Sequence, residues 1–221
     1  MKGMTKNETI NHVEIRDLSR QLFDGQTRQS FLKIALQVSV ITKTKAWTSG
    51  YHASVEPVRD SILHIDNAIG GVGIDRLLVP TSHGYTANLP IDERPIHRPL
   101  QYALGAILVT NWPRTAVQMS CQHIEGILKK KYEGIIPGID HSPLGSIVRQ
   151  IKSMELLGVE TIQQLEKVAH ILNIAKHEYG SDAIRIPNSL RRTESQVFNI
   201  HEAVTMYFIC RKLGVQLLAD Y

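Results

Sequence analysis

Apolar residues recur along most of this chain at the i, i+3, i+4 steps of an amphipathic α-helix. Val13 to Phe23 carries a helical period that Asp24-Gly25 ends. Phe31, Ile34, Ala35, Val38 and Ile41 predict a second helix across Thr27 to Trp47, although the β-branched run from Val38 to Thr42 leaves a strand open there. Pro57 suits a first helical turn, and Val58, Ile62, Ile65 and Ile69 form one stripe up to Gly70-Gly71. Leu100, Leu104, Ile107 and Leu108 predict a helix from Pro99 to Asn111. Pro113 restarts the chain in a new direction, with Val117, Cys121, Ile124 and Leu128 on an inner face as far as Lys131. Ser142-Pro143 opens a short helix through Leu157, with Gly158 as its stop. A long helix, Ile162 to Gly180, follows. After the polar connection at 181–192, Thr193 and Gln196 suggest a capping box. The final helix carries Val197, Ile200, Val204, Tyr207, Phe208, Leu217 and Leu218, with a kink expected at Gly214.

The pattern predicts an all-α protein, a bundle of about six or seven helices in a single domain over 13–221. Residues 1–12 read as a flexible polar N-terminus. Residues 70–99, rich in glycine and proline, read as one long irregular insertion. Leu77 to Val79 and Tyr85 to Leu89 can pair there as a small hairpin. The GGVGIDR segment is no phosphate cradle, because it lacks the Gly-Lys-Ser/Thr ending.

Composition agrees with a globular fold: 221 residues, 43% hydrophobic and 21% charged. A net charge of +4 and a pI near 9.1 permit a nucleic-acid partner without demanding one. The two cysteines, Cys121 and Cys210, read as buried free thiols in a reducing compartment. The N-terminus shows no apolar leader, and the longest apolar run, Ala103 to Val109, falls far short of the ~20 residues that span a bilayer. A soluble, cytoplasmic protein without a membrane partner is expected.

Four features carry candidate chemistry. Glu166, His170, Asn173 and His177 share one polar stripe of the long helix, a candidate acid/base face or solvated surface. His170 and His177 lie roughly 10 Å apart along the axis. That is too far for a self-contained metal site, so no metal or cofactor is assigned. A site combining His170, His177 and Glu166 with other helices is the weaker alternative. Arg59 and His64 form an Arg-x4-His pair that suits metal-free RNA cleavage, with imidazole as acid/base and guanidinium on the phosphorane charge. On a regular helix, however, the two point about 140° apart. Arg211 lies on the apolar arc of the last helix and needs a carboxylate, with Glu125 the nearest candidate, unless it serves to hold phosphate. Lys129-Lys130-Lys131 and Arg191-Arg192 complete the basic features; a helix-end dipole accounts for the lysines, and an RNA-backbone patch is the sharper alternative.

Three segments resemble the HEPN-type helical bundles of prokaryotic toxin–antitoxin and defence proteins. They are Ser120-Cys121-Gln122-His123-Ile124-Glu125-Gly126-Ile127-Leu128-Lys129, Leu172-Asn173-Ile174-Ala175-Lys176-His177-Glu178-Tyr179-Gly180, and Glu202 to Gly214. The resemblance covers about residues 113–218. It implies a homodimer and, in active members, a metal-independent ribonuclease built on an Arg-x4–6-His motif. Here Leu172, Ile171 and His170, not arginine, stand five to seven positions before His177. The only strict Arg-x4-His, Arg59 and His64, lies upstream of the resembling region; a catalytic chain is expected to use His177 or His64 as acid/base, Arg59 or Arg211 for phosphate charge, and Asn173 as an orienting group. A non-catalytic interaction module with a protein partner remains the alternative.

Overall fold

The computed structural model describes residues 8–43, 51–69, 79–81, 84–86, 93–177 and 197–219. They form an all-α bundle with one small hairpin. The helices are α1 (Glu8–Leu22), α2 (Gly25–Lys43), α3 (Tyr51–Ile69), α4 (Arg94–Gly105), α5 (Pro113–Lys131), α6 (Leu144–Ser153), α7 (Val159–His177) and α8 (Ile200–Ala219). Strands β1 (Val79–Thr81) and β2 (Gly84–Thr86) pair antiparallel, Pro80 opposite Tyr85, a hairpin whose strands overlap the expected segments at Val79 and at Tyr85-Thr86. The Thr193–Gln196 cap, Arg191-Arg192, GGVGIDR and Gly180 lie outside the described residues, as does most of the 70–99 insertion.

α5 and α8 are the axis of the bundle. α5 packs against α4, α6, α7 and α8, while α1, α2 and α3 close on α8. Every residue of α8 from Glu202 to Arg211 is buried, so this helix is covered on all sides. Phe208 stacks on Phe31 of α2 at 4.8 Å, and Phe31 meets the edge of Phe23 at 5.0 Å. The predicted inner residues Val117, Cys121, Ile124 and Leu128 are fully buried, and both cysteines are buried free thiols.

Several boundaries differ from the sequence pattern, each for a local reason. α3 begins at Tyr51, so Pro57 sits inside it, and α4 begins at Arg94 with Pro99 inside. Pro99 has no N–H for the Pro95 carbonyl, which instead faces α5. A Cβ on Gly126 would lie 2.9 Å from that oxygen, so glycine permits the close approach of α4 and α5. Asp24 ends α1 and also caps α2, accepting from the Thr27 N–H at 2.8 Å. α6 stops at Ser153, not at Leu157. Glu155 takes a left-handed φ of 54°, and the N–H groups of Leu156 and Glu155 return to the carbonyls of Ile151 and Lys152. Gly158 belongs to the next helix, its carbonyl accepting from Ile162. The described cap of α8 is a reciprocal pair: the Asn199 N–H donates to Glu202 at 2.8 Å and the Glu202 N–H to Asn199 at 2.9 Å.

Gly214 does not interrupt α8, which runs through it to Ala219. It is a point where α5 side chains press close. A Cβ there would sit 2.5 Å from His123 Nε2 and 2.9 Å from Ile127 Cδ1. The His123 ring cannot turn away freely, because its Nδ1 is bonded to the Ile96 carbonyl at 2.7 Å. Gly214→Ala is therefore expected to destabilise by about 1–3 kcal/mol from overpacking, less up to ~1 kcal/mol recovered in helix propensity. A lower urea midpoint at unchanged m-value is the expected result; a raised midpoint would show that the helices have room to part.

Candidate functional site

α7 ends where α5 begins, and one side chain fixes that junction. Arg114, in the first turn of α5, donates from Nε to the Ala175 carbonyl at 2.7 Å and from Nη2 to the Lys176 carbonyl at 3.3 Å. Carbonyls in the last turn of a helix have no partner within the helix, and a cation there also suits the dipole. The Lys176 carbonyl belongs to the peptide unit that the His177 nitrogen completes. A guanidinium is thus set against the backbone leading directly into His177. His177 and Asn173, one turn earlier, are both solvent-exposed.

Glu125 of α5 holds the same region from the other side. Its carboxylate pairs with Lys129 at 2.9 Å, lies 3.8 Å from Lys176, and accepts the Leu144 N–H at 3.1 Å, capping α6. α5, α6 and α7 therefore meet on one carboxylate.

The polar stripe of α7 is divided between its neighbours. Glu166 pairs with Lys152 of α6 at 2.7 Å, and His170 with Glu14 of α1 at 2.9 Å. Glu166 and His170 thus touch neighbouring helices while staying solvent-accessible, and Asn173 and His177 are exposed at the end of the stripe. Among the described residues, no group of three His, Cys, Asp or Glu side chains is placed to hold a metal ion.

No family model matches this chain, and no curated protein or solved structure matches it.

The other predicted residues fall elsewhere. α3 is helical throughout Tyr51–Ile69, so the irregular turn needed to bring Arg59 and His64 together is not there. Arg59 lies 3.6 Å from Asp60, and His64 is exposed. Arg211 is 2% exposed, and its partner is Asp66 rather than Glu125. The pair is bidentate, Nε to Oδ1 at 2.8 Å and Nη2 to Oδ2 at 3.3 Å. A guanidinium so engaged in the core is a structural ion pair, not a phosphate ligand. Each lysine of the 129–131 run also has an internal role. Lys129 pairs with Glu125, Lys130 lies 3.7 Å from Glu133, and Lys131 donates to the Leu217 carbonyl at 2.7 Å, capping α8.

Sequence reasoning missed the buried polar centre around that ion pair. Tyr207, one turn before Arg211, is fully buried; burial, then the Asp66 charge, push its hydroxyl well above the usual tyrosine range. His123 and His97 lie face to tilted face at 5.6 Å. Burial lowers His123 to about 3, opposed by its bond to Ile96 and aided by the charges of His97 and Arg211. His97 falls to about 4, through burial and then Arg211. Because the Ile96 carbonyl only accepts, His123 carries its proton on Nδ1, and its Nε2 has no hydrogen-bond partner among the described residues. Arg114 was missed as well; its position at the second residue of a Pro-started helix is the only trace it leaves in the sequence.

Proposed function

We propose that this chain is a HEPN-like helical protein that cleaves RNA without a metal, as a homodimer in the prokaryotic cytoplasm, in a defence or stress role. The observation that carries this reading is Arg114 on the last turn of α7. The resemblance implies an arginine near His177, and the helix before His177 holds none. α5 supplies one from sixty residues upstream, against the Ala175 and Lys176 carbonyls. The all-α bundle is the architecture that the resemblance implies.

In this reading His177 takes the proton of a ribose 2′-hydroxyl, whose oxygen attacks the adjacent phosphorus. The bond to the 5′-oxygen breaks, a cyclic phosphate forms, and the leaving oxygen receives a proton from the His177 of the second protomer. Arg114 and Lys176 offset the charge that accumulates on the phosphorane, and Asn173 orients the imidazole or the ribose. Single-turnover cleavage of labelled RNA in EDTA tests it. His177→Ala is expected to lose roughly 10²–10⁴-fold in rate. Arg114→Lys keeps a cation but not the forked contact, and is expected to lose rate with little change in melting temperature. Full activity in His177→Ala would sink the assignment.

A second reading, a non-catalytic interaction module, is favoured by α2. Leu32, Leu36 and Val40 form an i, i+4, i+8 stripe exposed at 47%, 60% and 63%. Monomeric proteins seldom leave such a stripe bare. The same assay separates the two readings, since absence of cleavage both in EDTA and with divalent ions leaves only the module.

A further inference from the structure

α2 is apolar on two sides. Phe31, Ile34, Ala35 and Val38 are buried in the core, where α2 packs against α3 and α8. Leu32, Leu36 and Val40 repeat every four residues on the outer surface and are exposed. A helix apolar over so much of its circumference is ordinarily covered. The outer row runs about 12 Å along the axis, the length of two turns. The backbone beneath it is closed by its own helical bonds, so it offers no edge to an added strand. What it offers is a straight ridge flanked by grooves, which the i±4 ridge of another helix fills.

Charge decides the occupant. The row beside the apolar one is Gln29, Lys33 and Gln37, all exposed. Arg28, one turn before Leu32, heads the apolar row. α2 carries no carboxylate from Gly25 to Lys43. The nearest one, Asp24, is engaged as the cap of the helix, accepting from the Thr27 N–H at 2.8 Å and the Thr27 hydroxyl at 3.2 Å. Lys33 has no ion-pair partner among the described residues. A second copy laid on this face would set cation against cation with no carboxylate to answer them. A bilayer surface would have to desolvate the Gln29 and Gln37 amides for a stripe only three side chains long. A helix with its own apolar stripe and flanking carboxylates meets neither objection.

We propose that the outer face of α2 docks an acidic amphipathic helix of a different protein. Its stripe covers Leu32, Leu36 and Val40, and its carboxylates meet Lys33 and Arg28. This rests on the surface that favours an interaction module and adds the chemistry of the partner; it does not depend on cleavage at His177.

The probes are two labelled peptides held helical by a hydrocarbon staple. Each has one leucine stripe, flanked in one peptide by glutamates and in the other by lysines. Fluorescence anisotropy is expected to show the glutamate peptide binding roughly tenfold or more tightly at low salt. That margin should shrink as salt rises. Lys33→Glu should reverse the order of the two peptides, whereas the same change of charge on α5, Lys130→Glu, should leave it. Leu36→Gln alters an exposed side chain, so its melting temperature should hold while both peptides bind roughly tenfold more weakly. Binding of neither peptide overturns the proposal, as does an equal response to Lys33→Glu and Lys130→Glu. So does a monomer–dimer equilibrium that Leu36→Gln abolishes, which gives the face to a second copy. Tighter binding of the lysine peptide removes the acidic partner and keeps the interaction module. None of these results bears on the loss of RNA cleavage in His177→Ala.

Discussion

Asp66→Ala is expected to cost about 3–5 kcal/mol, because it removes the carboxylate that takes both forks of the Arg211 guanidinium in the centre of the bundle. Arg211 is 2% exposed and Asp66 fully buried, so neither charge can reach water without opening the packing of α3 against α8. A loss of that size consumes much of the ~5–15 kcal/mol that holds a typical domain. The single variant should therefore unfold at low urea or accumulate insoluble. The paired change Asp66→Leu with Arg211→Met removes both charges and keeps much of the volume. It should recover most of the loss, since well-packed apolar replacements of buried pairs are often neutral. A double variant no more stable than Asp66→Ala would mean that the ion pair is not what makes the single variant fail.

Acid is expected to weaken the fold well before the carboxylates are neutralised. His123 and His97 are held near 3 and 4, against about 6.5 in the unfolded chain. Between those values the unfolded state binds protons that the native state refuses, so stability rises with pH there. The contribution is complete above about pH 6.5 and is lost as pH falls toward 4 and then 3. Each proton taken up on unfolding gives a slope of roughly 1.4 kcal/mol per pH unit. Urea unfolding measured from pH 7.5 to 4.5 should show this slope. His123→Asn keeps an N–H donor near the Ile96 carbonyl and cannot titrate, so it should flatten the curve even if it lowers stability at pH 7. An unflattened curve would place the sensitivity elsewhere.

Both effects originate in groups that a linear reading handled poorly. The helices themselves were legible. Val58, Ile62 and Ile65 form the buried stripe of α3, and Pro113 with Lys131 bracket α5, because burial of one face imposes a period on the sequence. Partnership imposes none. Asp66 and Arg211 are brought together by the crossing of α3 and α8, and no rule of spacing pairs residues so far apart. Glu125 looked like the partner because it flanks an inner face, but its carboxylate reaches the open end of α6 instead. The α7 stripe had the right composition and the wrong unity, since Glu166 and His170 turn to different neighbours. Gly214 illustrates the same limit. A glycine in a helix reads as a weak point, whereas here it is the place where an imidazole needs the space of a missing methyl group.

The end of α7 is gripped twice from α5, by Arg114 on its carbonyls and by Glu125 through Lys176. A helix clamped at one point can still roll about its axis, but one clamped at two cannot. The backbone that carries His177 is thus fixed when the chain folds, and only the side-chain torsions of its exposed imidazole remain to be ordered by anything that binds there.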